Sequence, residues 1–324
     1  MTNRTLIVLI CTHNRSGLLL RTLHSLNTAR RPQGWHVDVL VVANACTDNT
    51  LERLEHLREE GKEGLPLNWI EEPTPGKSHA LNRALPQIAS DLVAFVDDDH
   101  RDDPGYLTHI CTAAEDYPDA GLFCGRILPD WDGSEPAWVH VTGTYRIYPL
   151  PVPRFDQGEV PLRLTPEIAI PGGGNLFLRV EWINRTGPFS TELGPTGHDL
   201  EGSEDLDWIL RAQELGARLQ YVPSVVQYHY VDLQRLKLGY LIKKAYKRTV
   251  STTGLKVRSE GDRIPRYLYR KLVEYLFYAM TALSTDRRRF FLVRTAAALG
   301  ELKGYRQRRE TVKALNDENI EPSQ

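Results

Sequence analysis

The chain has 324 residues, 41% of them hydrophobic and 25% charged, enough apolar material for a packed core, which excludes a disordered or fibrous chain. Its 24 glycines and 20 prolines exclude a collagen-like or low-complexity class, and a typical domain size of ~150 residues allows about two domains. The formal net charge of −2 gives the chain as a whole no attraction to nucleic acid, and no nucleic-acid partner is expected.

Leu6-Ile7-Val8-Leu9-Ile10 is a continuous apolar, β-branched run that predicts a strand buried on both faces, as in a parallel sheet. A polar loop over 12–16 follows, then a helix over 18–26 with Leu19, Leu23 and Leu26 on one stripe. Residues 37–42 predict a second buried strand, 44–49 a polar loop, and 51–60 a helix with Leu51, Leu54 and Leu57 in line. A third strand is predicted at 67–70, a helix at 78–89, and a fourth buried strand at 92–96 that runs into acidic residues. This alternation calls for a parallel sheet covered by helices. In such sheets ligands sit beyond the carboxyl ends of the strands, so the loops at 12–15, 43–48 and 97–99 should converge on one crevice.

A helix over 104–117 and a strand over 121–127 come next. Residues 129–166 are rich in Pro, Trp and Tyr and weakly periodic, the signature of a long functional or mobile excursion. A Gly-rich turn plus strand follows at 169–180, a helix over 205–215 stopped by Gly216, and a strand over 219–230. Beyond Leu233 the character changes to basic amphipathic helices at 236–250, 267–283 and 290–305. Residues 235–324 carry 21 Lys and Arg against 9 Asp and Glu, leaving 19 against 33 in the first 234. The expected organisation is therefore a catalytic domain over 1–234 and a helical extension over 235–324, with the polar end at 316–324 frayed.

Cys11, Cys46, Cys111 and Cys124 are widely spaced with no CxxC pair, so reduced thiols and a cytoplasmic location are expected. The apolar stretches at 6–11 and 272–283 are too short for a signal peptide core or a membrane span.

Five motifs carry candidate chemistry. Asp97-Asp98-Asp99 ends a buried strand. Adjacent carboxylates repel, and a hard divalent cation relieves that; the plainer reading is a solvated acidic turn. Alternation at a strand end lets Asp97 and Asp99 share a ligand while Asp98 points away. Ser203-Glu204-Asp205-Leu206-Asp207 opens a helix, where acids favourably meet the macrodipole or one carboxylate serves as a general base. Gly172-Gly173-Gly174 lets a ligand approach the backbone closely, although turns use such runs too. Gly76-Lys77-Ser78 enters a helix, so free N–H groups and Lys77 can meet a phosphate, without the spacing of a Walker A loop. His229 follows a strand, where a lone histidine is more often structural than a ligand.

The order of these motifs resembles the family-2 glycosyltransferases, inverting nucleotide-sugar enzymes with the GT-A fold. The resemblance runs over about residues 5–235: Cys11-Thr12-His13-Asn14-Arg15, then Asn44-Ala45-Cys46-Thr47-Asp48-Asn49-Thr50, then Gly76-Lys77-Ser78-His79-Ala80-Leu81-Asn82, then Asp97-Asp98-Asp99, Gly172-Gly173-Gly174-Asn175, Glu204-Asp205 and His229. It implies an α/β fold: a GT-A-like, mostly parallel twisted sheet flanked by helices, with the C-terminal helical extension. It also implies that Thr12, Asn14, Arg15 and Asp48 line the nucleotide pocket together with Asp97 and Asp98. Where the family presents an acid to the base, this sequence has Ala43-Asn44, so the Asn44 amide takes that contact. Lys77 and Asn82 fall at diphosphate- and ribose-side positions, and Gly173, Gly174 and Asn175 border the donor sugar. Asp99, with Asp97 and His229, would hold Mg²⁺ or Mn²⁺. Asp205 is the implied base, with Glu204 as the alternative.

The implied reaction moves a sugar from a nucleotide-diphosphate sugar, with UDP the default, to a glycan or lipid-linked acceptor in polysaccharide biosynthesis. Two competing classes are a metal-dependent sugar nucleotidyltransferase, disfavoured because the loop after the first strand has one glycine, Gly17, and a non-catalytic binding module. In the extension, the basic flanks Arg263, Arg266, Arg270, Lys271 and Arg287-Arg288-Arg289 suit an anionic membrane surface. The plainer reading is packing on the catalytic domain or in a homo-oligomer.

Overall fold

The computed structural model describes residues 4–60, 64–193, 204–254 and 264–318; Ser203, Arg263 and the polar end at 319–324 lie outside them. The chain divides into two compact units: residues up to 130 with 153–230, and residues 131–152 with 231 onwards.

The first unit opens β1 (Arg4–Thr12), α1 (Ser16–Thr28), β2 (Trp35–Asn44), α2 (Thr50–Glu60), β3 (Leu67–Glu72), α3 (Lys77–Ala84) and β4 (Leu92–Asp97). β1 pairs in parallel with both β2 and β4, and β2 with β3. Their apolar runs are buried on both faces: Leu6, Val8, Ile10, Val39 and Val41 pack with α1 in one core layer, while Leu9, Val42, Val93 and Phe95 pack with α3 in the other. Two-sided burial is why these strands read as continuous apolar runs instead of alternating ones.

After β4 the sheet becomes mixed. β5 (His100–Asp102), α4 (Tyr106–Asp116), β6 (Leu122–Asp130), β7 (Leu162–Leu164), β8 (Asn175–Arg179), α5 (Glu181–Thr186), α6 (Glu204–Glu214) and β9 (Leu219–Tyr230) complete the unit. The strand order is β3-β2-β1-β4-β8-β6-β9-β5, with β7 also on β9. β8 runs antiparallel between β4 and β6, and β5 antiparallel to β9. The short elements β5, β7 and α5 had no counterpart among the predicted elements, because three to six residues are too few to display a period.

The second unit holds α7 (Leu238–Gly254), α8 (Arg266–Thr281) and α9 (Thr285–Glu318). The excursion expected over 129–166 splits between the units. Ile127 and Phe155 bridge within the first unit, whereas Tyr145 packs its ring 5.8 Å from Phe290 of α9 and Arg289 lies 4.9 Å over Trp138. The aromatic content of 131–152 thus belongs to an apolar contact inside the helical unit. Among the described residues no helix is long and apolar enough to cross a membrane.

Candidate active site

The loops after β1 and β2 are held by polar side chains that bond one another and the backbone. Thr12, the last residue of β1, donates through Oγ1 to Asp98 Oδ2 at 2.7 Å in a buried setting. Asn14 takes a left-handed backbone, φ 54°, and its Oδ1 accepts from the N–H groups of Thr47 and Asp48 at 2.7 and 3.1 Å. Asp48 accepts from Ser16 N at the start of α1 and from Thr50 N at the start of α2. The hydrogen bonds from Thr50 and Ser16 prevail over burial and hold its carboxyl below the usual range.

Two residues expected at the nucleotide are engaged elsewhere. The Asn44 amide nitrogen donates to Glu72 O at 3.1 Å and Thr74 O at 2.6 Å, and its oxygen accepts from Gly76 N at 2.8 Å. Both amide hydrogens are committed to the 72–76 turn, so Asn44 shapes the approach to α3 and has no N–H to offer a base. Asn82 is bidentate to the backbone of Phe189, donating to its O at 2.9 Å and accepting from its N at 2.8 Å. It pins a segment 107 residues away.

Lys77 is the first residue of α3, following Gly76 at φ 134°, a conformation only glycine adopts freely. Its Nζ lies 3.1 Å from Asp97 Oδ1 and 3.4 Å from Asp205 Oδ2. Burial alone would lower the ammonium, but Asp205 and Asp97 outweigh it and hold its pKa well above 10.5. The same pairing overcomes burial at Asp97 and keeps that carboxyl far below its ordinary range. Asp205 Oδ2 also accepts from Gly173 N at 2.9 Å. A Cβ at Gly173 would collide with the Asp205 carboxylate, and one at Gly174 with Asp97 and His100, so the glycine run is required where the backbone passes these acids. Glu204 is buried, and burial together with Asp205 pushes its carboxyl up. Asn175, expected beside a sugar, donates instead to Arg126 O and Val225 O, tying β8 to β6 and β9 where the β6–β9 register shifts.

Asp98 is buried, and burial and Asp99 push its carboxyl up to about 6 against the pull of Arg15 and Thr12. Arg15 Nη1 reaches Asp98 Oδ1 at 3.3 Å and Asp99 Oδ2 at 3.2 Å. On its other side Asp99 Oδ1 is 3.5 Å from His229 Nε2, and the His229 ring lies 4.9 Å from that of His100. Among the described residues, Asp99, His100 and His229 form the group whose ligand atoms fall within 4.8 Å of one another. Asp97 is outside it, facing Lys77. Among the described residues His100 Nε2 is buried with no hydrogen-bond partner. A proton on His229 would satisfy Asp99 and leave His100 Nε2 bare; a divalent ion satisfies all three, and a carboxylate with two imidazoles suits one. His100 carried no signal beyond its place after the acidic triplet, and its nearness to His229 arises from the β5–β9 ladder.

Lys77, the carboxylates of Asp97 and Asp205 and the glycine run come together beyond the carboxyl end of β4, in a GT-A glycosyltransferase fold. The first 349 residues of S. aureus TarS, solved with UDP, superpose with a TM-score of 0.54 at 18% identity, covering 96% of this chain and 91% of that one. Against a longer TarS structure the TM-score is 0.55, and this chain spans 55% of its length. The mannosyltransferase PcManGT from Pyrobaculum calidifontis, solved with GDP-Man and Mn²⁺, gives 0.53 at 17% identity, covering 93% and 86%. The chain belongs to glycosyl transferase family 2, whose model matches residues 7–187. It is also 25% identical over 252 residues to the succinoglycan biosynthesis protein ExoM of Rhizobium meliloti (strain 1021), covering 76% of this chain and 74% of that protein.

Proposed function

We propose that this glycosyltransferase moves a sugar from a nucleoside diphosphate sugar, UDP first, to a hydroxyl of a glycan or lipid-linked acceptor, with inversion and with cation assistance. The observation that carries the proposal is Lys77 Nζ held between Asp97 and Asp205, which brings α3, β4 and α6 to one point. Negative charge accumulates on the departing diphosphate, and the ammonium is already in position to offset it. Asp205 is the base. Lys77 and Gly173 both bind its Oδ2, so Oδ1 remains to take the acceptor proton. The N-terminus of α6 favours the charged carboxylate there. The attacking oxygen then approaches the anomeric carbon from the face opposite the leaving group. Glu204, only 3% exposed, is too enclosed to meet an acceptor and lies behind Asp205 in this scheme. Asp99, His100 and His229 would hold a divalent cation, Mn²⁺ more readily than the harder Mg²⁺ because two of the three ligands are imidazoles, and when bound it would supply positive charge to the diphosphate oxygens. The UDP complex of TarS and the Mn²⁺ in PcManGT support the donor and the ion.

The lipid-linked acceptor rests on α8. Tyr269, Val273, Leu276, Phe277 and Met280 form one exposed stripe, with Val273 68% and Met280 64% exposed, and Arg266 and Arg270 follow the same face. Apolar side chains bordered by arginine suit the interface of an anionic bilayer. Co-sedimentation with anionic vesicles, lost in Val273→Ser/Phe277→Ser, is expected; no sedimentation by the wild type rejects the membrane contact. For the reaction, UDP-, GDP- and dTDP-sugars are screened with Mn²⁺ and the product's anomeric configuration is read by NMR. Turnover with inversion is expected; retention, or no turnover with any donor, rejects the proposal.

A further inference from the structure

β5 and β9 pair so that His100 faces His229 and Asp102 faces Gln227. Strand side chains alternate, so these four share one face of the ladder. Arg101 and Tyr228 take the other face, where the guanidinium stacks 4.3 Å from the ring centre. His100, Asp102 and Gln227 are 2%, 3% and 0% exposed, so their polar groups must find partners inside the protein. Gln227 Nε2 donates to Asp102 Oδ1 at 2.7 Å, and Gln227 Oε1 lies 3.0 Å from His100 Nδ1. Ser25 Oγ of α1 accepts from Asp102 N at 3.0 Å, and its one proton lies between Thr22 O at 2.8 Å and Asp102 Oδ2 at 3.0 Å.

The chain of bonds has one direction. A carboxylate accepts only, so Gln227 turns its NH₂ to Asp102 and its oxygen to His100. An amide oxygen also accepts only, so His100 carries its ring proton on Nδ1 and leaves a lone pair on Nε2. Among the described residues that nitrogen is buried without a partner, and His100 belongs to the group with Asp99 and His229. His229 reaches the same state by another route: its Nδ1 lies 2.7 Å from Tyr230 O, so its Nε2 is the one presented to Asp99.

We propose that Gln227, oriented by Asp102, is a positioning residue of the cation site: it fixes the His100 proton on Nδ1 and thereby aims Nε2 at the ion. This rests on the cation assignment given under the proposed function, and two measurements separate the two. In metal-free, full-length protein labelled with ¹⁵N-histidine, long-range ¹H–¹⁵N correlation spectra report which nitrogen of His100 is protonated. Nδ1–H with a bare Nε2 is expected; Nε2–H overturns the inference and needs no variant to do so. Mn²⁺ is then titrated by EPR into wild type, Gln227→Leu, Asp102→Leu and Asp102→Asn, with metal-free UDP binding and thermal melts as controls for the fold. Gln227→Leu and Asp102→Leu should weaken Mn²⁺ by roughly 10–100-fold, the range for partners of metal-bound histidine. Asp102→Asn, whose oxygen still accepts from Gln227, should retain most of the affinity. Equal Mn²⁺ affinity in Gln227→Leu and wild type overturns the inference alone. Absence of Mn²⁺ binding by wild type overturns the cation assignment and the inference with it.

Discussion

At the carboxyl ends of β1 and β2 the polar side chains answer one another: Asn14 holds the 47–48 backbone, Asp48 caps α1 and α2, and Asn44 holds the 72–76 turn. Asn82, from α3, does the same for Phe189. At the β5–β9 ladder the balance is different, for among the described residues His100 Nε2 is buried without a partner, and His229 Nε2 and Asp99 Oδ1 face each other at 3.5 Å. Buried polar groups are nearly always satisfied, so the first set is already complete as scaffold, whereas the second leaves His100 Nε2 open beside Asp99 and His229. Lys77, between Asp97 and Asp205, stands between these cases: it is paired now, and under the proposed function an arriving diphosphate would compete for it.

The comparison is tested hardest at Asp205. Asp205→Asn should lose roughly 10²–10⁴ in kcat while calorimetry shows UDP binding retained; unchanged turnover would remove Asp205 as base. Asp99→Ala should cost Mn²⁺ affinity more than the roughly 10–100-fold expected of supporting residues, with metal-free UDP binding unaffected. Loss of both forms of binding would mean that Asp99 is scaffold like Asn44.

Asn44→Ala and Asn82→Ala should behave in the opposite way. Each strands backbone groups at about 1–3 kcal/mol apiece, read as a lower Tm. A fall in UDP affinity with no change in Tm would return them to the nucleotide.

The smallest effect concerns Asp98, whose carboxyl is pushed up to about 6, above its unfolded value near 3.8. The folded state therefore binds the proton more tightly, so this group's contribution is full below about pH 4 and is lost as pH rises through 6. Across that window wild type should lose on the order of 2 kcal/mol relative to Asp98→Asn, followed by denaturant melts of metal-free protein. A constant difference would show that Asp98 keeps an ordinary carboxyl.

Much of the first unit was legible in the sequence because its signals are local. The apolar runs of β1, β2 and β4, the leucine stripe of α1 and the acids at the end of β4 each lie within a dozen consecutive residues. The acidic triplet, Lys77 and Asp205 were recognisable by residue type and order, and the fold brings Asp97 and Asp205 to the same ammonium. Asn44, Asn82 and Asn175 were named for the right neighbourhood but with other partners, because an amide bonds a base, a sugar or a backbone equally well. Its partner here lies 28 to 107 residues away.

By itself the sequence determined the parallel core and the presence of carboxylates at a strand end, since two-sided burial and strand alternation leave their mark on consecutive residues. Only the tertiary structure decided that 131–152 packs with the C-terminal helices and that His100 and Asp102 meet His229 and Gln227. Those contacts join segments more than a hundred residues apart, and the register of a ladder closed over such a distance is set by the packing of the whole sheet, which no local period records.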